Sequence, residues 1–397
     1  MLPCFRGVVV QHQYLRAVYD GQQSFDWLNW CKGICEEIIK GQNHMLPYFA
    51  LIGIPAFLLL FPYNDNNKVF NKRFPLLVFF VILILLLSLR SVHCGIDLVN
   101  YKNKFIHSGS ISFNSIITSG EYGFGLLMAV CKTLTNNFQF FLFICALLSV
   151  VPIAVLYLKN TRHNLLTIAL FVGVAPFSLF FSGLRQSIAL GLAAICYYFC
   201  EKRKLIPFLL LVFAAFTFHQ SAVILLLMYP LMHLRITKKW IIPIAVVFIV
   251  CFIFRSQIFG FLINLNARYD ERYTITETGS YTFLILLLLM TVYSFIMLKD
   301  SEIDSFGLRN ILVFTLLMQC FASVNSVAMR LNYYYLIFVP ILIPYVIDNA
   351  RVRYRQIAKL SHYLFVVFFI FWFFKEAYTG ADILNVFPYV PFWGSLQ

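Results

Sequence analysis

Arg185 lies in the stretch SGLRQSIALGL, between the apolar runs TIALFVGVAPFSLFF and AAICYYFC. An arginine at the centre of a membrane helix costs about 2.5–3.5 kcal/mol on insertion scales, so this one needs a water boundary or an anionic partner. The planar guanidinium donates two parallel, charge-assisted hydrogen bonds, a geometry that suits phosphate oxygens. Arg185 is therefore a candidate phosphate-binding residue. Three other arginines are candidates of the same kind: Arg90, Arg268 and Arg330.

Two side chains are candidates for accepting a proton. His219 lies in the segment FHQS at 218–221, and imidazole suits acid–base work near neutral pH. Asp97 competes with it, because a carboxylate in a partly desolvated loop also accepts a proton. Each residue fits a purely structural role as well, a helix cap for His219 and an ion pair with Arg90 for Asp97.

The composition places these residues in a membrane protein. The chain of 397 residues is 61% hydrophobic and 12% charged, whereas soluble proteins average about 25% charged residues. Several apolar runs approach the roughly 20 residues that cross a bilayer. We therefore predict an all-α, polytopic bundle of about twelve spans, at 46–63, 74–92, 137–158, 164–182, 184–200, 205–218, 222–234, 240–258, 281–298, 311–329, 331–347 and 363–374. The sixth and seventh spans are short, and we expect them to meet at 218–221 in a pocket that water reaches.

Basic residues predict the orientation of the spans. Of the 31 Lys and Arg residues, 17 lie in short loops on one side, which we predict to be cytoplasmic, and both termini fall outside. The net charge of +14 is explained by anchoring at the inner leaflet, without nucleic-acid binding. The outer side nevertheless holds six arginines, including Arg185, and no matching cluster of acids. Single arginines there fit snorkelling to the headgroups, but the group suggests a lipid-linked phosphate or pyrophosphate.

Five segments carry a resemblance to a known family. The outer loop RSVHCGIDLVNY at 90–101 resembles the R-x(n)-G-x-D-x-x-x-Y segment of EpsG-like membrane proteins. Four others follow in a similar order and spacing: EYGF at 121–124, GLRQSIA at 183–189, FHQSA at 218–222 and NVFPY at 385–389. The resemblance covers roughly 46–390.

This family is grouped with Wzy-type exopolysaccharide and O-antigen polymerases and with GT-C-like membrane glycosyltransferases. The resemblance implies a GT-C-like bundle in the bacterial cytoplasmic (inner) membrane, with short helices in the outer loop between spans two and three. It implies a polymerase that joins polyprenyl-diphosphate-linked oligosaccharide repeat units on the periplasmic face, for O-antigen, capsule or exopolysaccharide. The expected partners are the lipid bilayer, a flippase and a chain-length regulator.

The same reaction implies roles for particular residues. A diphosphate leaves with its negative charge, so fixed cationic donors stabilise the transition state. We expect Arg185 and Arg330 to bind it first, with Arg90 and Arg268 behind them, and His219 or Asp97 to act on the acceptor hydroxyl. Expected glycan contacts are Tyr101, Glu121, Gln186, Tyr333 and Tyr334, although the last two also fit an interfacial aromatic belt. No cofactor is expected, and no metal, because no His or carboxylate pair has ligand spacing.

Two other function classes stay open. A lipid-linked oligosaccharide flippase or transporter would also place arginines near diphosphates, although such proteins commonly show repeated halves. An O-antigen ligase shares the arginine and histidine chemistry but transfers the glycan to the lipid A core.

The sequence predicts two parts of very different length. We predict residues 1–44 to be an N-terminal extension and 45–397 to be a single polytopic membrane domain. Similar proteins begin almost directly with the first span, as Met45 would, and no signal peptide pattern precedes it. Either translation starts at Met45, or the run FDWLNWCKGICEEII forms an interfacial helix.

Overall fold

The computed structural model describes residues 45–61, 72–107, 121–264, 281–300, 306–379 and 384–394. In these ranges the chain forms seventeen α-helices, three short 3₁₀ helices and one isolated antiparallel bridge, between Arg90 and Pro391. The α-helices are α1 Leu46–Leu58, α2 Phe74–Leu89, α3 Leu98–His107, α4 Tyr122–Leu134, α5 Phe138–Asn160, α6 Asn164–Gly173, α7 Phe177–Ser182, α8 Leu184–Glu201, α9 Leu205–Phe218, α10 Met228–His233, α11 Ile241–Ile253, α12 Arg255–Asn264, α13 Thr282–Met297, α14 Gly307–Ala322, α15 Ser326–Leu336, α16 Val339–Asp348 and α17 Arg355–Thr379. The predicted all-α class is confirmed for the part of the chain that the structure describes.

Local sequence explains where several helices begin. The Asn137 side chain accepts a hydrogen bond from the Gln139 N–H at 2.8 Å and so caps the first turn of α5. Pro75 stands in the first turn of α2, where the missing N–H would have no helical partner. Within α2 and α5 most residues are apolar, so packing decides which faces are buried.

Two hydrophobic clusters hold the helices together. One joins α6, α13, α14, α16 and α17 through residues such as Leu170, Leu287 and Phe369. The other joins α3, α4, α5 and α8 through Phe105, Phe141 and their neighbours. The second cluster includes Tyr101, Phe124 and Leu184 of the motif segments, and it therefore holds together the helices that carry Tyr101 and Arg185.

The helices indicate a membrane protein, but the predicted number of twelve spans is not confirmed. Within the described ranges two helices are long and apolar enough to cross a membrane, Phe138–Asn160 and Val352–Thr379. The number is four if each of two bent pairs counts as one span: Lys238–Ile253 with Arg255–Phe261, bent by 77°, and Ala328–Leu336 with Val339–Asp348, bent by 43°. Most other predicted spans form apolar helices of 10–17 residues.

Breaks inside apolar runs account for the differences. The predicted span 164–182 is divided, because α6 ends at Gly173 and α7 begins at Phe177 after Pro176. The predicted boundary near 330 is wrong: α14 ends at Ala322, and Arg330 lies inside α15. Ser323 closes α14 by donating its hydroxyl hydrogen to the Cys320 carbonyl, a local bond that competes with helix continuation.

Other boundaries agree with the prediction. Two short helices, α3 and α4, lie in the segment between the second and third predicted spans. The helix α9 ends at Phe218, so His219 begins the connection as expected. Residues 1–44 and Arg268 lie outside the described residues, and the predictions for them stay predictions.

Candidate functional site

The G-x-D motif holds the outer loop against α7. Gly95 has φ of +130°, and a Cβ atom there would lie 2.2 Å from the Phe181 carbonyl oxygen. Only glycine permits both this conformation and this close approach. The approach brings Asp97 to Ser182, whose hydroxyl donates to Asp97 Oδ2 at 3.3 Å and accepts from the Asp97 N–H at 3.4 Å.

The NVFPY segment near the C-terminus supports the same loop from its other side. The Ser91 N–H donates to the Val390 carbonyl at 2.7 Å, and the Ile96 N–H donates to the Leu384 carbonyl at 3.0 Å. The Tyr48 hydroxyl donates to the carbonyl of Val386 at 2.6 Å. Leu384 and Val390, which flank the segment, thus fix the loop by backbone hydrogen bonds, and Tyr48 joins the segment itself to α1.

A second glycine places Glu121. A Cβ atom at Gly123 would lie 2.4 Å from Thr217 Oγ1, so the first turn of α4 lies directly against the last turn of α9. Glu121 is the N-cap residue of α4, and His219 is the C-cap residue of α9. The helix contact therefore brings these two side chains together.

Four side chains from four segments form one hydrogen-bonded group, which we call the Glu121 cluster: Tyr101, Glu121, Arg185 and His219. His219 Nδ1 donates to Glu121 Oε1 at 2.9 Å, and Arg185 Nη1 donates to Glu121 Oε2. Arg185 Nε donates to the Tyr101 hydroxyl oxygen at 3.1 Å. The side chains of Glu121, His219 and Arg185 are 13%, 20% and 37% exposed, so the cluster is largely desolvated but reachable.

The electrostatics keep Glu121 ionised. Burial by itself raises the pKa of the Glu121 carboxyl, but the hydrogen bond from His219 and the charge of Arg185 outweigh it, and the pKa lies below its usual value. Burial raises the pKa of the Tyr101 phenol, although Arg185 partly opposes this effect. The cluster therefore contains a carboxylate and a neutral phenol at neutral pH.

This ionisation fixes the tautomer of His219. A carboxylate has no hydrogen to donate, so the proton between the two groups belongs to His219 Nδ1. In the neutral ring Nε2 then carries the lone pair. The imidazole is held by Glu121 and presents Nε2 as a proton acceptor, an arrangement that general-base sites use.

A second set of contacts joins α15 to the cluster. Gln186, next to Arg185 in α8, donates its amide N–H to the Arg330 carbonyl at 2.6 Å. The Arg330 side chain is exposed, and its guanidinium has no hydrogen-bond partner among the described residues. Gln186 thereby places a second arginine on the segment beside Arg185.

The predicted glycan contacts differ in accessibility. Tyr334 is 0% exposed and forms a 3.2 Å hydrogen bond with the Ser221 hydroxyl, so its ring face is not open to a ligand. Tyr333 is half-buried. Tyr101 and Gln186 are buried and bond to Arg185 and to the Arg330 backbone, respectively. Tyr101 and Gln186 thus hold Arg185 and the Arg330 backbone in place, and Glu121 links Arg185 to His219.

Arg90 lies in a different environment. Its side chain is 1% exposed; Nη1 donates to the Leu87 carbonyl and Nη2 to the Phe180 carbonyl at 3.4 Å. The guanidinium also lies over the Phe181 ring, 5.5 Å from its centroid. The structure therefore places Arg90 among backbone acceptors and not in the Glu121 cluster, and Asp97 bonds to Ser182 and not to Arg90.

All four members of the cluster were candidates from the sequence, but the central position of Glu121 between Arg185 and His219 was not predicted. Its carboxylate was predicted to contact glycan, which stays a prediction, and the structure shows that it joins Arg185 to His219. The sequence signals for Glu121 were its place in the EYGF segment and the small number of acids on the predicted outer side. Among the described residues no group of three or more His, Cys, Asp or Glu side chains could hold a metal ion.

Comparison with known proteins identifies one family. The EpsG family matches residues 73–390. This range contains every segment that contributes to the Glu121 cluster. Nothing among curated proteins or solved structures matches the chain.

Proposed function

The chain belongs to the EpsG family of exopolysaccharide/O-antigen polymerase-like membrane proteins, and on that premise we propose that it is a Wzy-type polysaccharide polymerase. It joins polyprenyl-diphosphate-linked oligosaccharide repeat units on the outer face of the bacterial cytoplasmic membrane. The bundle is multi-pass and GT-C-like on this proposal. The observation that carries it is the Glu121 carboxylate, which holds a proton acceptor and a cation in one partly exposed cluster.

His219 activates the acceptor sugar in this mechanism. Its Nε2 accepts the proton of the acceptor hydroxyl while the oxygen forms a bond to the anomeric carbon of the donor. The bond from that carbon to the diphosphate oxygen breaks, and the electron pair leaves with the diphosphate. The proton remains on His219, where the Glu121 carboxylate stabilises the imidazolium.

Arg185 and Arg330 stabilise the leaving group. Arg185 donates hydrogen bonds from Nη1 to Glu121 and from Nε to Tyr101. Its Nη2 has no hydrogen-bond partner among the described residues. Arg330, which is exposed and whose backbone carbonyl accepts from Gln186, supplies the second guanidinium on this proposal. Fixed donors aimed at a leaving group whose charge grows in the transition state accelerate its departure.

The proposal assigns the supply of substrate to other proteins. Repeat units are made on the cytoplasmic side, so a flippase brings them to the outer face, and a chain-length regulator limits the product. Arg268 is kept as a further diphosphate contact, from the predicted outer loop.

The test is complementation of a strain that lacks the gene, with surface glycan separated by length. We expect His219→Ala and Arg185→Ala to reach the membrane at the wild-type level, but to reduce the ladder of chain lengths to a single repeat unit. His233→Ala is the matched control, because His233 ends α10 and bonds through Nδ1 to the Tyr229 carbonyl, outside the cluster. It should keep the ladder.

Each alternative class gives a different pattern. Repeat units trapped on the inner face in the His219 and Arg185 variants would instead identify a flippase. Full-length glycan that stays on the lipid carrier would identify an O-antigen ligase. A wild-type ladder in His219→Ala would remove the proposed base.

A further inference from the structure

A groove between α11 and α13 lies outside the Glu121 cluster and shares no residue with it. Its volume is about 590 Å³. The walls are apolar side chains of the two helices, among them Ala245, Phe248, Leu288 and Phe295. At one end the lining changes to Lys238 and Arg351. The groove thus has a long apolar part and a cationic end.

The helix α11 shows what surrounds this groove. None of its residues, from Ile241 to Ile253, is buried, although every one of them is apolar. Val246 and Ile242 point away from the protein, whereas Ala245 and Phe248 line the groove. A helix that is apolar on all sides and has no buried residue is typical of a membrane span in contact with lipid. The groove therefore opens on the hydrocarbon part of the membrane.

The charges at the basic end are not neutralised by the described residues around them. Asp300 accepts from Arg309 Nη1 at 2.9 Å and from the backbone N–H of Lys238 at 2.8 Å, so its charge is matched by Arg309. Arg351 donates from Nη2 to the Leu298 carbonyl at 2.9 Å, and its Nε is buried without a partner among the described residues. Among the described residues no carboxylate pairs with the Lys238 ammonium or the Arg351 guanidinium, and both groups attract anions.

The position of this end agrees with its charge. Lys238 and Arg351 are two of the 17 basic residues, in short loops, that the sequence predicts to face the cytoplasm. Basic pockets between membrane helices on that side bind anionic lipid headgroups, because the inner leaflet is rich in them. Phosphate oxygens also form strong, charge-assisted hydrogen bonds with both side chains.

We propose that the groove binds one molecule of an anionic phospholipid, with an acyl chain along α11 and α13 and its phosphate at Lys238 and Arg351. The apolar walls match the hydrocarbon chain, and the cationic end matches a headgroup with a net negative charge. A zwitterionic phospholipid has the same chains, but its own ammonium group offsets the phosphate charge. Headgroup charge is therefore the property that the site distinguishes.

Native mass spectrometry of the full-length protein in detergent tests this site. Dioleoyl phosphatidylglycerol and dioleoyl phosphatidylcholine are added at equal concentration, and polyprenyl phosphate forms a third arm. We expect retention of phosphatidylglycerol over phosphatidylcholine. Lys238→Gln should weaken phosphatidylglycerol binding about five-fold, since each cation near an anionic lipid contributes about 1 kcal/mol. Lys239→Gln is the matched control, because the neighbouring ammonium does not line the groove, and it should bind as the wild type does.

A second pair of variants tests the apolar part. Ala245→Trp fills the groove and should abolish retention of phosphatidylglycerol, whereas Val246→Trp lies on the outward face and should not. Equal retention of the two phospholipids, or undiminished binding by Ala245→Trp, would overturn the proposal. Displacement of phosphatidylglycerol by polyprenyl phosphate at lower concentration would also overturn it, in favour of a lipid-carrier site.

Discussion

Arg90 and Arg185 are the same residue type and both lie in motif segments, yet they have different environments in the structure. Arg90 is 1% exposed, and its guanidinium donates to backbone carbonyls of Leu87 and Phe180. The Arg185 side chain is 37% exposed, and it donates to the side chains of Glu121 and Tyr101. An arginine bound to buried carbonyls stabilises the fold, whereas one at a partly exposed carboxylate is available to a ligand.

Substitution of Arg185 should have the largest effect, and this effect should be on the rate of polymerisation and not on stability. Arg185→Lys keeps the charge but loses the planar fork, so polymerisation should fall by about 10²–10³, equivalent to about 2.7–4 kcal/mol. The unfolding temperature should change little. Measurement of chain extension on lipid-linked repeat units, together with thermal unfolding, separates the two quantities. Normal extension in the lysine variant would show that the planar guanidinium of Arg185 is not needed to bind the diphosphate.

Substitution of Arg90 should instead lower stability and leave the rate of polymerisation nearly unchanged. Arg90→Met removes hydrogen bonds from a charged donor to two buried carbonyls, each worth about 1.5–3 kcal/mol. The protein should unfold at lower temperature and accumulate less in the membrane, while the activity per folded molecule stays close to normal. The measurement is polymerisation activity divided by the amount of folded protein in the membrane. A normalised loss as large as that of Arg185→Lys would erase the difference between the two arginines.

The pH dependence of stability tests the carboxylate that binds Arg185, Glu121. Its folded-state pKa is lowered, so its contribution to stability is complete above the ordinary carboxyl pKa and is lost as pH falls through the lowered value. Thermal unfolding of the wild type should therefore decline on acidification. Glu121→Gln should start less stable at neutral pH, by about 1.5–3 kcal/mol for a lost charged hydrogen bond, and should decline less. Parallel curves for the two proteins would show that other carboxyl groups cause the decline.

Asp97 predicts the smallest effect and separates the two candidate bases. Asp97→Asn keeps an oxygen that accepts from the Ser182 hydroxyl, and its cost should not exceed one ordinary hydrogen bond, about 0.5–1.5 kcal/mol. Chain extension should then stay within about ten-fold of the wild type. A loss equal to that of His219→Ala would move the base from His219 to Asp97.

Much of the site could be predicted from the sequence, because its residues stand out where they are. Arg185 is conspicuous in an apolar run, and His219 lies where a short predicted span ends. Their meeting through Glu121 could not be predicted. It depends on the contact of α4 with α9 at Gly123 and Thr217, between segments about ninety residues apart, and no local pattern records such a contact.

The breaks within the helices could not be predicted from the sequence either. Between 164 and 182 and near 323 the chain stays mostly apolar, so hydrophobicity alone predicted continuous spans. The structure divides the first at Gly173 and Phe177 and ends α14 at Ala322. Apolar residues are compatible with either outcome, and packing against neighbouring helices decides between them.

The sequence by itself determined the class of the protein: composition requires an apolar helical bundle, because only backbone paired within helices can be buried in lipid here. It also determined which residues are available for chemistry. Only the tertiary structure decided which of these are used. Whether a guanidinium meets a carbonyl, as Arg90 does, or a carboxylate, as Arg185 does, depends on which segments pack beside it. Hydrogen bonds act over about 3 Å, so that choice is made only when distant segments are brought into contact.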